Sequence, residues 1–529
     1  MKKISLNNSK GLSVLFLVIA MLLMVVIGYV FSYLIPTKQK SVVFPIQSTQ
    51  AFFLAQSGVE FAVRLSKDNG WTTTASLNTN LNLPANNTRS LGAGSFSLAY
   101  SAATDTLTSS GQVPTGTTRR SISVSNFTTF LYYFAYRKLI TVQVGQVTGT
   151  LTNFPMLVSR TDPDLRTTAN GGHIASYDPG TNDPRDLIFE GLNDNTCGGA
   201  GTSPCKLDHE IEYYVPTTGQ LVAWVRVPSI ADSRLIYMYY GNGMYYGNGC
   251  SGCSASTQNG TGVWDAYYKG VWHLSQNPTG TAPQINDSTA NAYNGTAVGS
   301  FVAGDQQAAM INGGLNFNGT DDEIQIFPNP PPAAALGPTS ATVSAWIRVR
   351  GFNESTFSPN AGADPGAVVF STRDQNGDVS PTLLVSPVPG GAGTRPALVF
   401  CNDTANVAVG AKGNLAGNST IALNTWYYAV GTFSRSGVGT FAGSWNVYRN
   451  GAQNNTATNN FNLAGTAIGT FTGATWRLAN NAQWPGFSYV ILDEVRVSNI
   501  VRSAGWILTE YNNQNAPASF YTVGAEQNN

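Results

Sequence analysis

Charge is scarce in this chain and evenly split. Only 11% of its 529 residues are Asp, Glu, Lys or Arg, and 29 basic side chains face 29 acidic ones. No basic surplus points to nucleic acid, and no acidic tail points to a disordered end. Histidine is rarer still, at three. A zinc site built on Cys250-Ser-Gly-Cys253 needs a second ligand pair at metal spacing, which so few histidines hardly supply. Cysteine stops at five. Four fall in two close pairs inside Gly/Ser/Asn-rich loops, and in an exported protein these read as small disulfide loops, Cys197–Cys205 and Cys250–Cys253. Cys401 is left over and reads as a buried free thiol. Beyond residue 70 long helical patterns are scarce as well. Glycine, aromatics and abundant Asn, Thr and Ser take their place, the composition of a secreted, mainly β protein whose strands are joined by short polar turns. The chain is too aromatic and too patterned for disorder, and long enough for more than one domain.

One long apolar run is present. Leu12 to Ile35 carries no charge and is long enough to span a bilayer. Lys2, Lys3 and Lys10 precede it, which keeps the N-terminus cytoplasmic and sends the remainder outward. A cleaved secretory signal has a shorter apolar core and then a small-x-small site, and neither is found here. An ordinary signal anchor fits these facts too. Two features favour another reading. Lys10-Gly11 stands directly before the run, behind a short basic leader. Further on, Ala51, Ala55, Gly58, Ala62 and Leu65 recur at helical spacing, a stripe of mostly small residues that permits close helix–helix packing. Pro36 and Pro45 are expected to kink or melt the helix between anchor and stripe.

Gly11-Leu12 resembles the processing site of type IV prepilins and pseudopilins. The Ala51, Ala55, Gly58, Glu60 run resembles the helix of minor pilins and K-type pseudopilins. The alternating segment Gly94 to Phe127 looks like a small pilin β-region packed on that helix. The resemblance implies cleavage by a prepilin peptidase after Gly11, retention of the helix in the membrane, and assembly with pilin or pseudopilin subunits. Phe16 departs from the pattern, because most major pilins carry Glu at that fifth mature position. Minor pilins proposed to sit at filament tips lack this Glu, so the departure fits an initiating or capping subunit.

From Tyr132 the pattern is strands and turns. Tyr136-Arg137-Lys138, Phe154-Pro155, Glu210-Ile211-Glu212, Val222-Ala-Trp224-Val225 and Tyr239-Tyr240-Gly241-Asn242 together resemble a bacterial and archaeal domain of unknown function that often precedes concanavalin A-like lectin domains. Asp208, Glu210 and Glu212 alternate, so a strand points all three to one face. Paired carboxylates at strand spacing serve as acid and nucleophile in retaining glycosidases. The triplet also reads as an ordinary polar strand face.

The C-terminal half resembles a laminin-G-like or concanavalin A-like jelly roll. The segments carrying this are Gly270 to Gln276, Gly314 to Ile326 (taken as a hairpin), Thr342 to Val349, Leu423 to Phe433, Trp445 to Gly451 and Leu492 to Gln514. Trp346, Ile347 and Val349 are expected to fill the sandwich core. Asn450-Gly451 supplies a tight hairpin turn. Trp506, Ile507 and Tyr511 sit at helical spacing, so a short helix packs on the sandwich. Relatives of this fold bind glycans, often through Ca²⁺ held by Asp and Asn oxygens. The candidates are Asp287, Asp321, Asp322 and Asp493, with Asp374, Asn376 and Asp378 in one loop. All are also common turn residues. Trp484, beside turn residues, is the candidate sugar platform.

The expected layout is a leader at 1–11, a pilin-like helix and small β-region at 12–130 (membrane span 12–35), a β-domain at 131–250, a flexible linker at 251–262 and a jelly roll at 263–526. The expected function is adhesion at the cell surface or pilus, through a polysaccharide or surface receptor, without catalysis. A surface-tethered glycoside hydrolase and a membrane-anchored envelope protein that never enters a filament are the alternatives.

Overall fold

A computed structural model describes residues 18–25, 39–69, 71, 73–113, 118–130, 134–199, 204–242, 257–326, 340–351, 367–371, 382–390, 393–401, 414–435, 443–458, 476–480 and 487–528. Gly11, Leu12, Cys250, Cys253, Asp374, Asn376, Asp378 and Trp484 lie outside these, as does the side chain of Cys401. Of the apolar run, 18–25 is helical and exposed. Among the described residues no helix is long and apolar enough to cross a membrane. The chain divides into two compact units, one drawn from residues up to Tyr133, the other from Phe134–Gly243 and Ser254–Asn529.

In the first unit α1 (Gln39–Asp68) and α2 (Thr74–Leu81) precede β1 (Thr88–Leu91), β2 (Gly94–Ser101), β3 (Thr106–Gln112) and β4 (Arg119–Ser125). The four strands form one antiparallel sheet in sequence order. The small-residue stripe of α1 is buried at Ala51, Ala55, Gly58 and Ala62. It faces this unit's own sheet. A Cβ on Gly111 of β3 would stand 2.0 Å from the carbonyl oxygen of Ala51, so helix and strand touch backbone to backbone. Small residues on both sides are what that closeness requires. α1 runs unbroken through Pro45; a proline inside a helix removes one hydrogen bond and need not end it.

The second unit opens with β5 (Tyr136–Val142), β6 (Leu151–Thr161), β7 (Ile188–Gly191), β8 (Cys205–Leu207), β9 (His209–Val215), β10 (Gln220–Ile230) and β11 (Leu235–Tyr240). One sheet runs β6-β10-β9, a second β5-β11-β7-β8. Cys197 and Cys205 are bonded across a separation of 8 residues. Closing so short a loop constrains the unfolded chain by roughly 2–3 kcal/mol. Replacing both cysteines by serine should therefore lower stability by about that amount in urea denaturation.

The chain continues through β12 (Tyr268–Trp272), β13 (Gly295–Val298), β14 (Gln306–Ala308), β15 (Gly313–Asn318), β16 (Glu323–Ile326) and β17 (Ser340–Val349). Then follow β18 (Ala367–Ser371), β19 (Thr382–Gly390), β20 (Gly393–Cys401), β21 (Asn414–Thr420) and β22 (Trp426–Arg435). β23 (Gly443–Arg449), β24 (Ala452–Thr458), β25 (Trp476–Leu478), β26 (Tyr489–Ser498), α3 (Ala504–Asn515), β27 (Tyr521–Val523) and β28 (Gln527–Asn528) come last. Two sheets stack here, ordered β14-β15-β26-β17-β22-β23-β24, with β12 also on β26, and β13-β16-β25-β18-β19-β20-β21. Trp272, Phe317, Ile347, Phe370, Phe400 and Trp476 belong to the buried cluster shared by their inner faces.

Three local readings change. The Gly314–Ile326 segment is an arch between sheets rather than a hairpin, because β15 pairs with β14 and β26 while β16 pairs with β13 and β25. Asn318 Oδ1 accepts the backbone N–H groups of Thr320, Asp321 and Asp322 and so turns the chain. Trp346 leaves the sandwich core that Ile347 and Val349 enter, as a period of two demands. It donates instead to Gln514 of α3 at 2.7 Å. The boundary near 250 is also crossed. β27 pairs with β5, and Trp346, Tyr428, Trp506, Ile507 and Phe520 share a core with Phe154, Trp224 and Met238. The described end of the linker is tied down, with Thr257 donating to the Leu187 carbonyl and Asn259 to Asp208.

Candidate functional site

The most concentrated chemistry lies where the two halves of the second unit meet. β9 contributes Glu210 and Glu212, β10 contributes Trp224, the residue after β12 is His273, and β26 contributes Asp493, Glu494 and Arg496. Adjacent residues on a strand ordinarily face opposite ways. A bulge overrides this in β26: Arg496 stands opposite Ser344 and Asp493 opposite Trp346, so two residues answer one. Glu494 takes φ +53° there, a left-handed conformation that costs a non-glycine residue about 1 kcal/mol or more. Asp493, Glu494 and Arg496 thereby reach one face.

His273 Nδ1 lies 2.5 Å from Glu494 Oε1 and 3.6 Å from Glu212 Oε2, and its Nε2 lies 3.5 Å from Glu210 Oε1. Arg496 bonds Glu494 at 2.6 Å and Glu510 of α3 at 3.1 Å. Tyr268 and Tyr428 donate to Glu510. The indole N–H of Trp224 donates to Glu212 at 3.0 Å, and that of Trp264 to Glu210 at 2.8 Å. The Arg496 guanidinium lies 4.3 Å from the Trp224 ring centroid and 4.9 Å from that of Trp264. Every charge thus meets either a partner or an aromatic face.

Burial sets the protonation states. It pushes Glu212 up to about 8, with Glu494 and Glu210 adding to the rise and His273 and Trp224 opposing it. Asp493 is raised well above its ordinary value by burial, then by Glu494 and Glu212. For His273 burial opposes the charge, but Glu494, Glu212 and Glu210 outweigh it and raise the imidazole well above 6.5. Burial also raises Glu494, yet His273 and Arg496 overcome it and hold this carboxyl low.

The structure therefore gathers Glu210, Glu212 and Asp493 among the sequence candidates. Asp208 stands apart, with Arg226 at 3.6 Å and Asn259 at 2.8 Å. The Glu212 side chain is 2% exposed and that of Glu210 18%, so Glu212 has no face to offer a polysaccharide. Asp287 is occupied in holding its own loop, accepting the backbone N–H groups of Val271, Thr289 and Tyr293. Asp321 and Asp322 pin Ser300 to Asn318 beside the arch. The four calcium candidates are thus spread over three places, and among the described residues no three of them lie within 4.8 Å of one another.

Sequence reasoning missed His273, Glu494 and Arg496, although two signals were available. One of only three histidines ends a strand-like run in Gly270 to Gln276, and Asp493-Glu494-Val-Arg496 places acids and a base within an apolar strand.

His209 is a second buried histidine, at the start of β9. Burial, then Lys206, lowers its pKa to about 4. The unfolded chain therefore binds a proton that the folded chain refuses. This contribution is intact above pH 6.5 and is lost as pH falls toward 4, a change of roughly 3 kcal/mol. His209→Leu should flatten that part of the pH–stability curve measured by urea denaturation.

The architecture and the match below define a concanavalin A-like β-sandwich. Residues 318–508 match the family model described as the concanavalin A-like lectin/glucanases superfamily. No curated protein matches the chain. Among solved structures, domain 4 of an extracellular GH43 arabinanase from Geobacillus stearothermophilus, in complex with arabinotriose, is 17% identical, covering 47% of this chain and 100% of that one at a TM-score of 0.31. The receptor-binding domain of a botulinum neurotoxin C/D mosaic serotype is 14% identical over 47% of this chain and 51% of that one, also at 0.31. The binding domain of Paraclostridial Mosquitocidal Protein 1 is 13% identical over 46% and 52%, at 0.30. The chain spans about half the length of the latter two. At such scores none of these likenesses bears on function.

Proposed function

We propose that this chain is an adhesive surface subunit: a retained N-terminal helix holds it at the membrane or in a pilus-like filament, and its second unit binds a polysaccharide or a glycosylated receptor without cleaving it. The observation that carries the binding half is the concanavalin A-like sandwich over 318–508, a carbohydrate-binding fold. Of the carboxylates that would argue for hydrolysis, Glu210 and Glu212 sit in an ion network around the buried His273. The pilus half rests on the Gly11-Leu12 junction and the small-residue helix, with prepilin peptidase and pilin or pseudopilin subunits as partners. Helix α1 lying on a four-stranded sheet suits such a subunit. Ca²⁺ is the proposed cofactor, with Asp374, Asn376 and Asp378 as its candidate oxygen donors, since the other four aspartates are spread over three places.

A glycan array probed with the full chain in detergent, with and without chelator, tests the binding reading. Binding to a defined set of glycans is expected, with loss on chelation if Ca²⁺ takes part. Trp484→Ala should weaken binding about tenfold, the effect of losing one stacking face. No binding to any glycan overturns the reading. So does hydrolysis of laminarin- or agar-like polymers that disappears in Glu210→Gln, which makes the chain a surface glycoside hydrolase.

A further inference from the structure

The buried cluster holds more carboxyl groups than its two cations balance. Glu210, Glu212, Asp493, Glu494 and Glu510 surround one imidazole and one guanidinium. One polar atom in it, Asp493 Oδ1, has no hydrogen-bond partner among the described residues. Asp493 is 0% exposed and His273 2%. Buried polar atoms without partners are rare and ask for one. Asp493 stands on the face of β26 that carries Glu494 and Arg496 and interacts electrostatically with Glu494, Glu212 and His273.

One ligand atom each from Glu212, His273 and Glu494 lies within 4.8 Å of the others. We propose that these three side chains form a structural site for a transition-metal dication of the zinc class. The donor set decides the class. Calcium and magnesium take oxygen ligands, whereas an imidazole nitrogen with carboxylates suits zinc. The surroundings are those of a metal centre. Glu210 approaches the ring nitrogen of His273 that the ion does not use, Trp224 donates to Glu212, and Arg496 orients Glu494. The ligands come from positions 212, 273 and 494, so one ion ties both halves of the second unit together, and it is captured as the chain folds. This site shares no ligand with the calcium candidates, and its failure leaves the glycan-binding reading untouched.

The test is metal analysis of the full chain, purified from zinc-supplemented medium and dialysed. About one equivalent of zinc per chain is expected. Glu212→Gln and His273→Gln should each lose it while keeping the β-type circular dichroism of the parent. If neither variant folds, wild-type chain refolded with zinc should melt at a higher temperature than chain refolded with EDTA. Folded chain that carries no metal after refolding in zinc overturns the proposal. Zinc retained in full by His273→Gln, or equal melting temperatures with zinc and EDTA, overturns it as well.

Discussion

Arg496→Met is expected to lower the stability of the second unit by about 3–5 kcal/mol, the cost of leaving buried charges without their partner. Two carboxylates lose the same cation: Glu494 at 2.6 Å and Glu510 at 3.1 Å. The methionine replaces much of the lost volume, so the loss is electrostatic rather than a cavity. The sign with pH follows. Glu494 is held low by His273 and Arg496, so the native pair's contribution is present at neutral pH and lost as acid protonates the carboxyl. The deficit of the variant should therefore shrink on acidification. Urea denaturation followed by tryptophan fluorescence reads this directly, because Arg496 lies over Trp224 and Trp264. β27 and α3 belong to the core of the first-half strands. Residues 134–242 and 257–528 should consequently unfold in one transition. A difference below about 1 kcal/mol, the value of an exposed pair, would contradict the reading of this network.

Gly111→Val is the second large effect, expected to cost at least about 3 kcal/mol in the first unit, at or beyond the upper end of ordinary overpacking. A Cβ there would meet Ala51 O at 2.0 Å and Ala55 N at 2.5 Å. Both are helix backbone atoms, so no rotamer change relieves the clash, and α1 must lift from β3. Hydrogen exchange should show lost protection along Ala51–Ala62 and Thr106–Gln112. Protection equal to the parent would mean that the helix does not depend on this approach.

The parts of the fold governed by local physics were legible in the sequence. Asn450 and Gly451 take φ of +54° and +77° between β23 and β24, as an Asn-Gly hairpin requires. Ser503 caps α3 by accepting from the Trp506 N–H, and Trp506 and Ile507 are buried. Alternation in β9 correctly carries Glu210 and Glu212 to a common neighbour, His273. Which neighbour it would be was not legible. His273 and Glu494 are more than fifty residues away in sequence, and the segments holding them resembled fold motifs of a separate module. The bulge that turns Glu494 to the face of Asp493 has no local signature such as glycine. The arch at Asn318 and the outward turn of Trp346 failed for a related reason: a strand's own pattern does not say which sheet it joins.

The most direct test of the account is the intact mass of the chain recovered from the surface of cells that also make a prepilin peptidase. The account predicts one membrane- or filament-bound species that begins at Leu12, keeps the whole apolar segment and extends through the second unit. A freely secreted product that begins after Ile35, with that segment removed, would contradict it.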